Sequence, residues 1–181
     1  QGSILATYQQ KLELFTNPLI DAATSENDFD LRDVRKKRMS IYLATTPDNL
    51  ERIAPLINLF LQQLVNLNTQ ELPEHNPDLK YQCLLLNDEF TAIGKIPILS
   101  KAVSYVAGYG LRLLTIVQSP AQLRAVYGHD QAENYQINHP VRVVFATKEN
   151  AVAKEISESL GNTTVTSKSK SFNSGGGGPF K

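Results

Sequence analysis

Two carboxylates follow the strongest strand signal of the chain. Residues 81–86 form a short apolar run, and Asp88 and Glu89 come just after it. A buried parallel strand delivers the next side chains to the carboxyl edge of its sheet, where open α/β sheets bind ligands. One carboxylate there can hold Mg²⁺ through its water shell. The other can deprotonate a water that attacks a phosphoryl group. The pattern therefore predicts a Mg²⁺ site at Asp88 and a catalytic base at Glu89, unless the pair merely begins a loop.

A lone glutamine ends the next apolar run. Residues 111–117 predict a second buried strand, and Gln118 follows it. Because parallel strands end at the same sheet edge, Gln118 can contact the γ-phosphate of a nucleotide and sense its presence. An apolar strand followed by Asp-Glu is the Walker B pattern of nucleoside triphosphatases. The order and spacing of the two features argue against the simpler interpretation that Gln118 only ends a strand.

Four consecutive basic residues form a second candidate site. Arg35, Lys36, Lys37 and Arg38 could contact DNA through its phosphates, although a solvated turn before a strand is the simpler interpretation. The three histidines show no ligand-like spacing with each other or with Cys83, so no structural zinc is expected. Cys83 is expected to be a small apolar residue in a core strand.

These residues need an α/β framework to bring them together. Strands are predicted at residues 39–44, 81–86, 111–117 and 141–146. Helices are predicted at 3–24, with a break at Asn17–Pro18, and at 50–64, 99–106, 119–127 and 149–160. Strands that alternate with helices indicate a mostly parallel sheet flanked by helices.

The composition is that of a folded globular chain. Its 181 residues are 41% hydrophobic and 20% charged, with a formal net charge of zero, which excludes a binder that relies on bulk positive charge. No run approaches the roughly 18 apolar residues of a membrane-spanning helix. Residues 163–181 are rich in Ser, Thr, Lys and Gly, and we expect a flexible tail there.

Three long segments resemble one protein family. Residues 84–97 (LLLNDEFTAIGKIP) and 107–119 (AGYGLRLLTIVQS), with less specific similarity around 29–56, resemble the type IV secretion coupling proteins of the TraG/TraD group. The resemblance covers roughly residues 3–178. It implies the C-terminal part of a RecA-like P-loop NTPase domain at 25–162, preceded at 1–24 by a helix that ends an all-α insertion.

The resemblance also implies a biological role. Members are hexameric ATPases of the bacterial inner membrane, with a cytoplasmic motor that delivers relaxosome DNA, proteins or effectors to a secretion channel. The implied cofactors are Mg²⁺ and ATP. By resemblance Asp88 is the Mg²⁺-site aspartate, Glu89 the catalytic glutamate and Gln118 the γ-phosphate sensor. The 181-residue segment itself is expected to be soluble and cytoplasmic.

The chain departs from the family pattern in its nucleotide-binding residues. It contains no Gly-x-x-x-x-Gly-Lys-Ser/Thr phosphate loop, so the Walker A half is missing and no bound nucleotide is expected for this chain alone. The place of the arginine finger found in some relatives lacks arginine, and neither Arg112 nor Arg124 clearly replaces it. A non-catalytic module that docks secretion substrates or partner subunits is therefore the alternative function. A metal-dependent hydrolase that uses Asp88 and Glu89 directly would need further ligands.

Overall fold

The computed structural model describes residues 2–145 and 150–161. The chain divides into two compact units, Gln1–Val143 and Val144–Lys181. The tail expected at 163–181 lies outside the described residues. Every candidate site residue belongs to the first unit.

The first unit begins with two short helices. Helix α1 is Gly2–Leu12, a 3-10 helix follows at Glu13–Thr16, and helix α2 is Pro18–Thr24. The Asn17 side chain accepts a hydrogen bond from the Leu19 amide at 2.9 Å, and Pro18 occupies the first helical position. The predicted break at Asn17–Pro18 is confirmed. The apolar side chains of α1, α2 and the 3-10 helix between them are mostly exposed, and Leu19 is 81% exposed.

A two-stranded parallel sheet lies at the centre of the first unit. Strand β1 (Cys83–Asn87) pairs with strand β2 (Leu111–Thr115), with Cys83 opposite Leu111 and Asn87 opposite Thr115. The chain crosses between them through helix α4 (Pro97–Ala102) and a 3-10 helix at Val106–Tyr109. The α/β class with a parallel sheet and flanking helices is as predicted, and it is consistent with a partial RecA-like domain.

One face of this sheet is covered and the other is exposed. Leu85 is 6% exposed and Leu111 1%, whereas Leu84 and Leu86 are each 57% exposed and Leu114 45%. The buried residues of this face belong to the same hydrophobic core as those of helix α3 (Leu50–Asn68), and α3 contacts α4. The core contributed by these helices comprises Ile57, Leu61, Leu64, Val65, Leu99 and Ala102.

Two predicted strands are wrong over the residues that the structure describes. Residues 38–46 are irregular, and so are 141–145, whereas residue 146 lies outside the described part. Met39 and Ile41 are half-buried against the core, whereas Tyr42 is 87% exposed. Residues 39–44 have the side-chain alternation of a strand, but no described strand pairs with them.

The helices after β1 also depart from the prediction. Helix α4 ends at Ala102 rather than at residue 106, because the chain tightens into turns and a 3-10 helix before Gly110, whose φ is 75°. Helix α5 (Pro120–Tyr127) is confirmed, with the Ser119 side chain accepting from the Gln122 amide at 3.3 Å. Helix α6 (His129–Ile137) was not predicted, and it packs against α5.

The second unit contains one described helix. Helix α7 (Asn150–Ser159) matches the prediction to within one residue at each end, and Gly161 follows it with φ of 74°. Lys154 and Glu158 lie 3.8 Å apart on its surface. Within the described part of the chain, no helix combines the length and apolar character needed to cross a bilayer.

Candidate functional site

The ends of β1 and β2 place the predicted residues at one edge of the sheet. Two backbone hydrogen bonds extend the pairing beyond the strands: Ile116 donates to the Asn87 carbonyl, and Phe90 donates to the Ile116 carbonyl, both at 3.0 Å. The Asp88–Glu89 turn is thereby held beside the segment that leads to Gln118. This edge is the carboxyl end of both strands, as expected for parallel pairing.

Glu89 and Gln118 are in direct contact. The Gln118 amide nitrogen donates to both carboxylate oxygens of Glu89 at 3.1 Å. The side-chain amide of Gln122 in turn donates to the side-chain oxygen of Gln118 at 3.3 Å. All three side chains are exposed, so this polar chain is accessible to a ligand. An amide donor that spans both oxygens fixes the orientation of the carboxylate, as a proton acceptor requires.

The turn that carries Glu89 has an unusual backbone. Glu89 has φ of 48°, the only positive value of a non-glycine residue among those described. Its amide donates to the Asp88 carboxylate at 3.1 Å, and its carbonyl accepts from Ala92 at 2.7 Å. A left-handed conformation costs a residue with a side chain roughly 1–2 kcal/mol. Surrounding contacts must therefore stabilise this turn.

Phe90 supplies such contacts directly after Glu89. Its side chain is fully buried, stacked on Tyr127 of α5 with ring centroids 5.3 Å apart and planes at 6°. Tyr135 of α6 meets the same ring edge-on at 5.2 Å. Burial raises the pKa of both phenols above the ordinary value. The aromatic cluster of Phe90, Tyr127 and Tyr135 thus anchors the Asp88–Glu89 turn.

Helix α6 also holds the end of β2. The His139 Nδ1 atom lies 2.7 Å from the Tyr135 carbonyl, and Nε2 lies 3.3 Å from the Thr115 hydroxyl. A carbonyl can only accept, so Nδ1 carries a proton, and in the neutral ring Nε2 accepts from Thr115. The spacing of the histidines in the sequence did not indicate this contact of His139. The spacing of Ala132 and Tyr135, both buried in α6, was the available signal for the helix.

Comparison with known proteins connects this geometry to a family. The sequence model of the family described as type IV secretory system conjugative DNA transfer matches residues 1–177. The chain belongs to this family. The resemblance found in the sequence is thereby confirmed for nearly the whole chain.

Individual relatives agree with the assignment to the conjugative DNA transfer family. The chain is 37% identical over 161 residues to the protein VirD4 of Rhizobium rhizogenes and 36% identical to that of Agrobacterium fabrum, covering 89% of this chain and 24% of each relative. It is 28% identical over 173 residues to a conjugal transfer protein TraG of Escherichia coli, covering 91% of this chain and 27% of the relative. The chain therefore spans about a quarter of the length of these relatives.

The four basic residues do not form one surface in this member of the conjugative DNA transfer family. Arg35 is 1% exposed, and its Nη1 donates to the Asn68 carbonyl at 2.6 Å and to the Glu71 carbonyl at 3.1 Å. Lys36, Lys37 and Arg38 are exposed. Of the four residues predicted from the sequence, only these three are therefore accessible to DNA.

Neither of the two arginines considered for an arginine finger has a recorded contact with Glu89 or Gln118. Arg112 lies in β2 opposite Leu84, and it donates to the Gln82 side chain at 3.2 Å and to the Ala107 carbonyl at 3.3 Å. It therefore lies toward the amino end of the sheet, away from Glu89. Arg124 is half-buried in the last turn of α5.

The residues at the carboxyl edge fit a Mg²⁺ ion bound mainly through water. Mg²⁺ is usually held by one or two carboxylates together with waters and substrate phosphates. Asp88 and Glu89 supply exposed carboxylates, and no group of three or more His, Cys, Asp or Glu side chains suited to a metal occurs among the described residues. Cys83 is half-buried, and burial raises the pKa of its thiol. Asp88 and Glu89 can take part in a nucleotide site, but these two carboxylates cannot by themselves enclose a metal ion.

Proposed function

We propose that this chain is part of an ATP-driven coupling motor that recruits DNA or protein substrates and drives them into a type IV secretion channel. The observation that carries the proposal is the contact of Gln118 with Glu89, at 3.1 Å to both carboxylate oxygens, at the carboxyl edge of the sheet. Membership in the conjugative DNA transfer family and the relatives named VirD4 and TraG support the direction of this proposal.

Each of the three polar residues has a distinct task in the proposed reaction. Glu89 accepts the proton of the attacking water, for which its carboxylate is exposed and oriented by Gln118. Asp88 orients the water shell of Mg²⁺, which when bound supplies positive charge to the phosphoryl oxygens. Gln118 senses the γ-phosphate, because an amide that contacts phosphate must rearrange its hydrogen bonds to Glu89. Hydrolysis is thereby linked to a local rearrangement beside β2.

A complete site requires residues that this sequence does not contain. A phosphate loop supplies the backbone amides and lysine that hold the phosphates. We infer that the longer protein carries this loop, binds ATP and Mg²⁺, and assembles as a homo-hexamer at the inner membrane with its motor in the cytoplasm. Its partners would be relaxosome DNA and proteins, or effectors, and components of the secretion channel.

Glu89→Gln in the full-length protein tests the proposal. The amide keeps the size of the carboxylate but cannot accept a proton, so steady-state ATP turnover should fall by about 10²- to 10⁴-fold while ATP binding persists. Asp88→Asn should weaken nucleotide binding as well as turnover, and Gln118→Ala should slow turnover and loosen its link to transfer. Glu74→Gln, in an exposed loop, is the matched control and should retain activity.

The test also decides between the two functions. Near-normal ATPase activity of Glu89→Gln in the assembled protein would contradict the catalytic assignment. The non-catalytic module that docks secretion substrates or partner subunits would then be the better explanation of this chain.

A further inference from the structure

Gln122 extends the polar contact of Glu89 with Gln118 by one residue. Its side-chain nitrogen donates to the side-chain oxygen of Gln118 at 3.3 Å, while the Gln118 nitrogen donates to Glu89 at 3.1 Å. An ionised carboxylate can only accept hydrogen bonds, so the nitrogen of Gln118 must face Glu89. The oxygen of Gln118 then faces Gln122, which has to present a donor. The carboxylate therefore sets the direction of both hydrogen bonds.

The position of Gln122 in α5 also suggests a simpler role in helix capping. Ser119 caps α5 and accepts from the backbone amide of Gln122, the third helical residue, at 3.3 Å. A serine cap with glutamine three residues later is the capping-box pattern, in which the glutamine side chain accepts from the amide of the capping residue. The contact of Gln122 with Gln118 uses the side-chain nitrogen as a donor. It is therefore distinct from a capping box.

Both ends of this hydrogen-bonded chain are fixed by the same aromatic stack. Phe90 directly follows Glu89, and its buried ring stacks on Tyr127 of α5 with the centroids 5.3 Å apart. Gln122 lies in the first turn of that helix. The packing that holds the Glu89 turn therefore also holds the helix of Gln122, and the Gln118 side chain bridges the two. Buried packing thus brings together three side chains that are themselves exposed.

We propose that Gln122 is a positioning residue for the proposed ATP hydrolysis, which keeps the nitrogen of the Gln118 side chain directed at Glu89 and the γ-phosphate. Both of these groups accept hydrogen bonds, whereas the Gln118 oxygen would repel either of them. Gln122 occupies that oxygen and so disfavours the flipped amide. Gln122 acts through Gln118 and needs no contact with the nucleotide. The inference rests on the proposed function for the reaction, but the orientation of the amide can be measured without it.

Gln122→Glu separates positioning from capping. Glutamate at this position suits a capping box and the helix N-terminus, so the urea midpoint should not fall. Its carboxylate cannot donate to the Gln118 oxygen and attracts the Gln118 nitrogen away from Glu89. In the full-length protein kcat should therefore fall about tenfold, while KM for ATP should change less than about twofold. Gln131→Glu, at an exposed third residue of α6, is the matched control and should keep both constants.

Three further measurements show whether Gln122 acts through Gln118. Gln122→Met keeps the length of the side chain without its donor and should lower kcat about three- to fivefold. In the Gln118→Ala protein, Gln122→Glu should lower kcat by less than about a further twofold, because the amide that it orients is gone. In the 181-residue chain without nucleotide, Gln122→Glu should shift the ¹H–¹⁵N NMR signals of the Gln118 side-chain amide, and Gln131→Glu should not.

Four results would overturn the proposal. The first is a kcat of Gln122→Glu equal to that of Gln131→Glu, and the second is the same fold-loss of kcat with and without the Gln118 side chain. The third is a Gln118 amide signal that Gln122→Glu leaves unmoved. The fourth is a lower urea midpoint for Gln122→Glu than for Gln131→Glu, which would assign Gln122 to helix stability. The NMR measurement requires no ATP turnover, so failure of the positioning role and failure of the ATPase assignment are distinguishable.

Discussion

At the scale of single residues, Arg35 has a structural role within a run of exposed charges. Its guanidinium donates to the carbonyls of Asn68 and Glu71, where helix α3 ends and its carbonyls lack helical partners. Burial lowers the pKa of Arg35, and the nearby Glu71 opposes this effect. The Asn68 side chain is also buried and donates to the Leu31 and Leu64 carbonyls at 2.9 Å. Together Arg35 and Asn68 join the basic segment to α3.

Arg35→Ala should lower the free energy of unfolding by about 2–4 kcal/mol, because the buried Asn68 carbonyl and the partly buried Glu71 carbonyl lose a charged donor and a cavity forms. Arg35→Met should cost less, since it refills the cavity without restoring the hydrogen bonds. Urea denaturation followed by circular dichroism measures both variants. Lys36→Ala is the control at an exposed neighbour and should stay within about 0.5 kcal/mol. Equal stability of Arg35→Ala and Lys36→Ala would contradict the structural role.

Cys83 provides a prediction that depends on pH. Burial raises the pKa of its thiol, while the charge of Arg35 acts in the opposite direction. A raised pKa leaves less thiolate at neutral pH, and the thiolate is the species that iodoacetamide alkylates. Alkylation of the folded chain should therefore be slower than that of the urea-unfolded chain at neutral pH, and it should rise at a higher pH. An alkylation rate at neutral pH that is the same in both states would contradict the effect of burial.

At the scale of elements, the aromatic cluster couples α4, α5 and the Asp88–Glu89 turn. The Tyr127 hydroxyl accepts a hydrogen bond from the buried Ile96 amide at 3.1 Å, at the start of α4, while its ring stacks on Phe90. Tyr127→Phe keeps the stacking and leaves the Ile96 amide without its partner, which should cost about 1–3 kcal/mol in unfolding free energy. Thermal or urea unfolding measures this loss. Tyr105→Phe, at a side chain 43% exposed, is the matched control and should change stability by less than about 0.5 kcal/mol.

Local sequence patterns predicted β1 and β2. They failed for elements whose conformation depends on contacts with residues distant in the sequence. The apolar runs before Asp88 and Gln118 correctly predicted β1 and β2, and one face of both strands is buried in the core. Residues 39–44 have strand-forming side chains, but a strand also needs a hydrogen-bonding neighbour, which no local pattern reveals. Helix α6 went undetected because only Ala132 and Tyr135 are buried among polar residues.

For the candidate site, the sequence predicted that Glu89 and Gln118 lie close together, but it did not predict the packing around them. The proximity of Glu89 and Gln118 follows from two parallel strands that end together, so residue order along the chain was sufficient. The stacking of Phe90 on Tyr127 and the contact of His139 with Thr115 depend on where α5 and α6 pack. The burial of Arg35 was likewise hidden, because the three basic residues that follow it are all exposed. Side-chain roles set by tertiary packing cannot be inferred from charge runs alone.

At the scale of the whole molecule, the residues proposed for ATP turnover and the exposed basic residues lie at opposite ends of the same strands. Glu89 and Gln118 contact each other after β1 and β2, whereas Arg38 lies over the ring of Tyr81, which precedes β1. Arg112 lies in β2 and donates to the Gln82 side chain at 3.2 Å, near the start of β1.

The isolated chain should not bind Mg·ATP tightly. Asp88 and Glu89 are exposed carboxylates, and water competes strongly for a Mg²⁺ ion at such a site. The amides and lysine of a phosphate loop, which hold the nucleotide in such enzymes, are absent from this sequence. Isothermal titration calorimetry of the 181-residue chain with Mg·ATP should show no micromolar binding, whereas the full-length protein should bind. A Kd in the micromolar range for the isolated chain, abolished by Asp88→Asn, would show that the carboxyl edge of β1 and β2 suffices to hold the nucleotide. The assignment of phosphate binding to a separate loop would then be wrong.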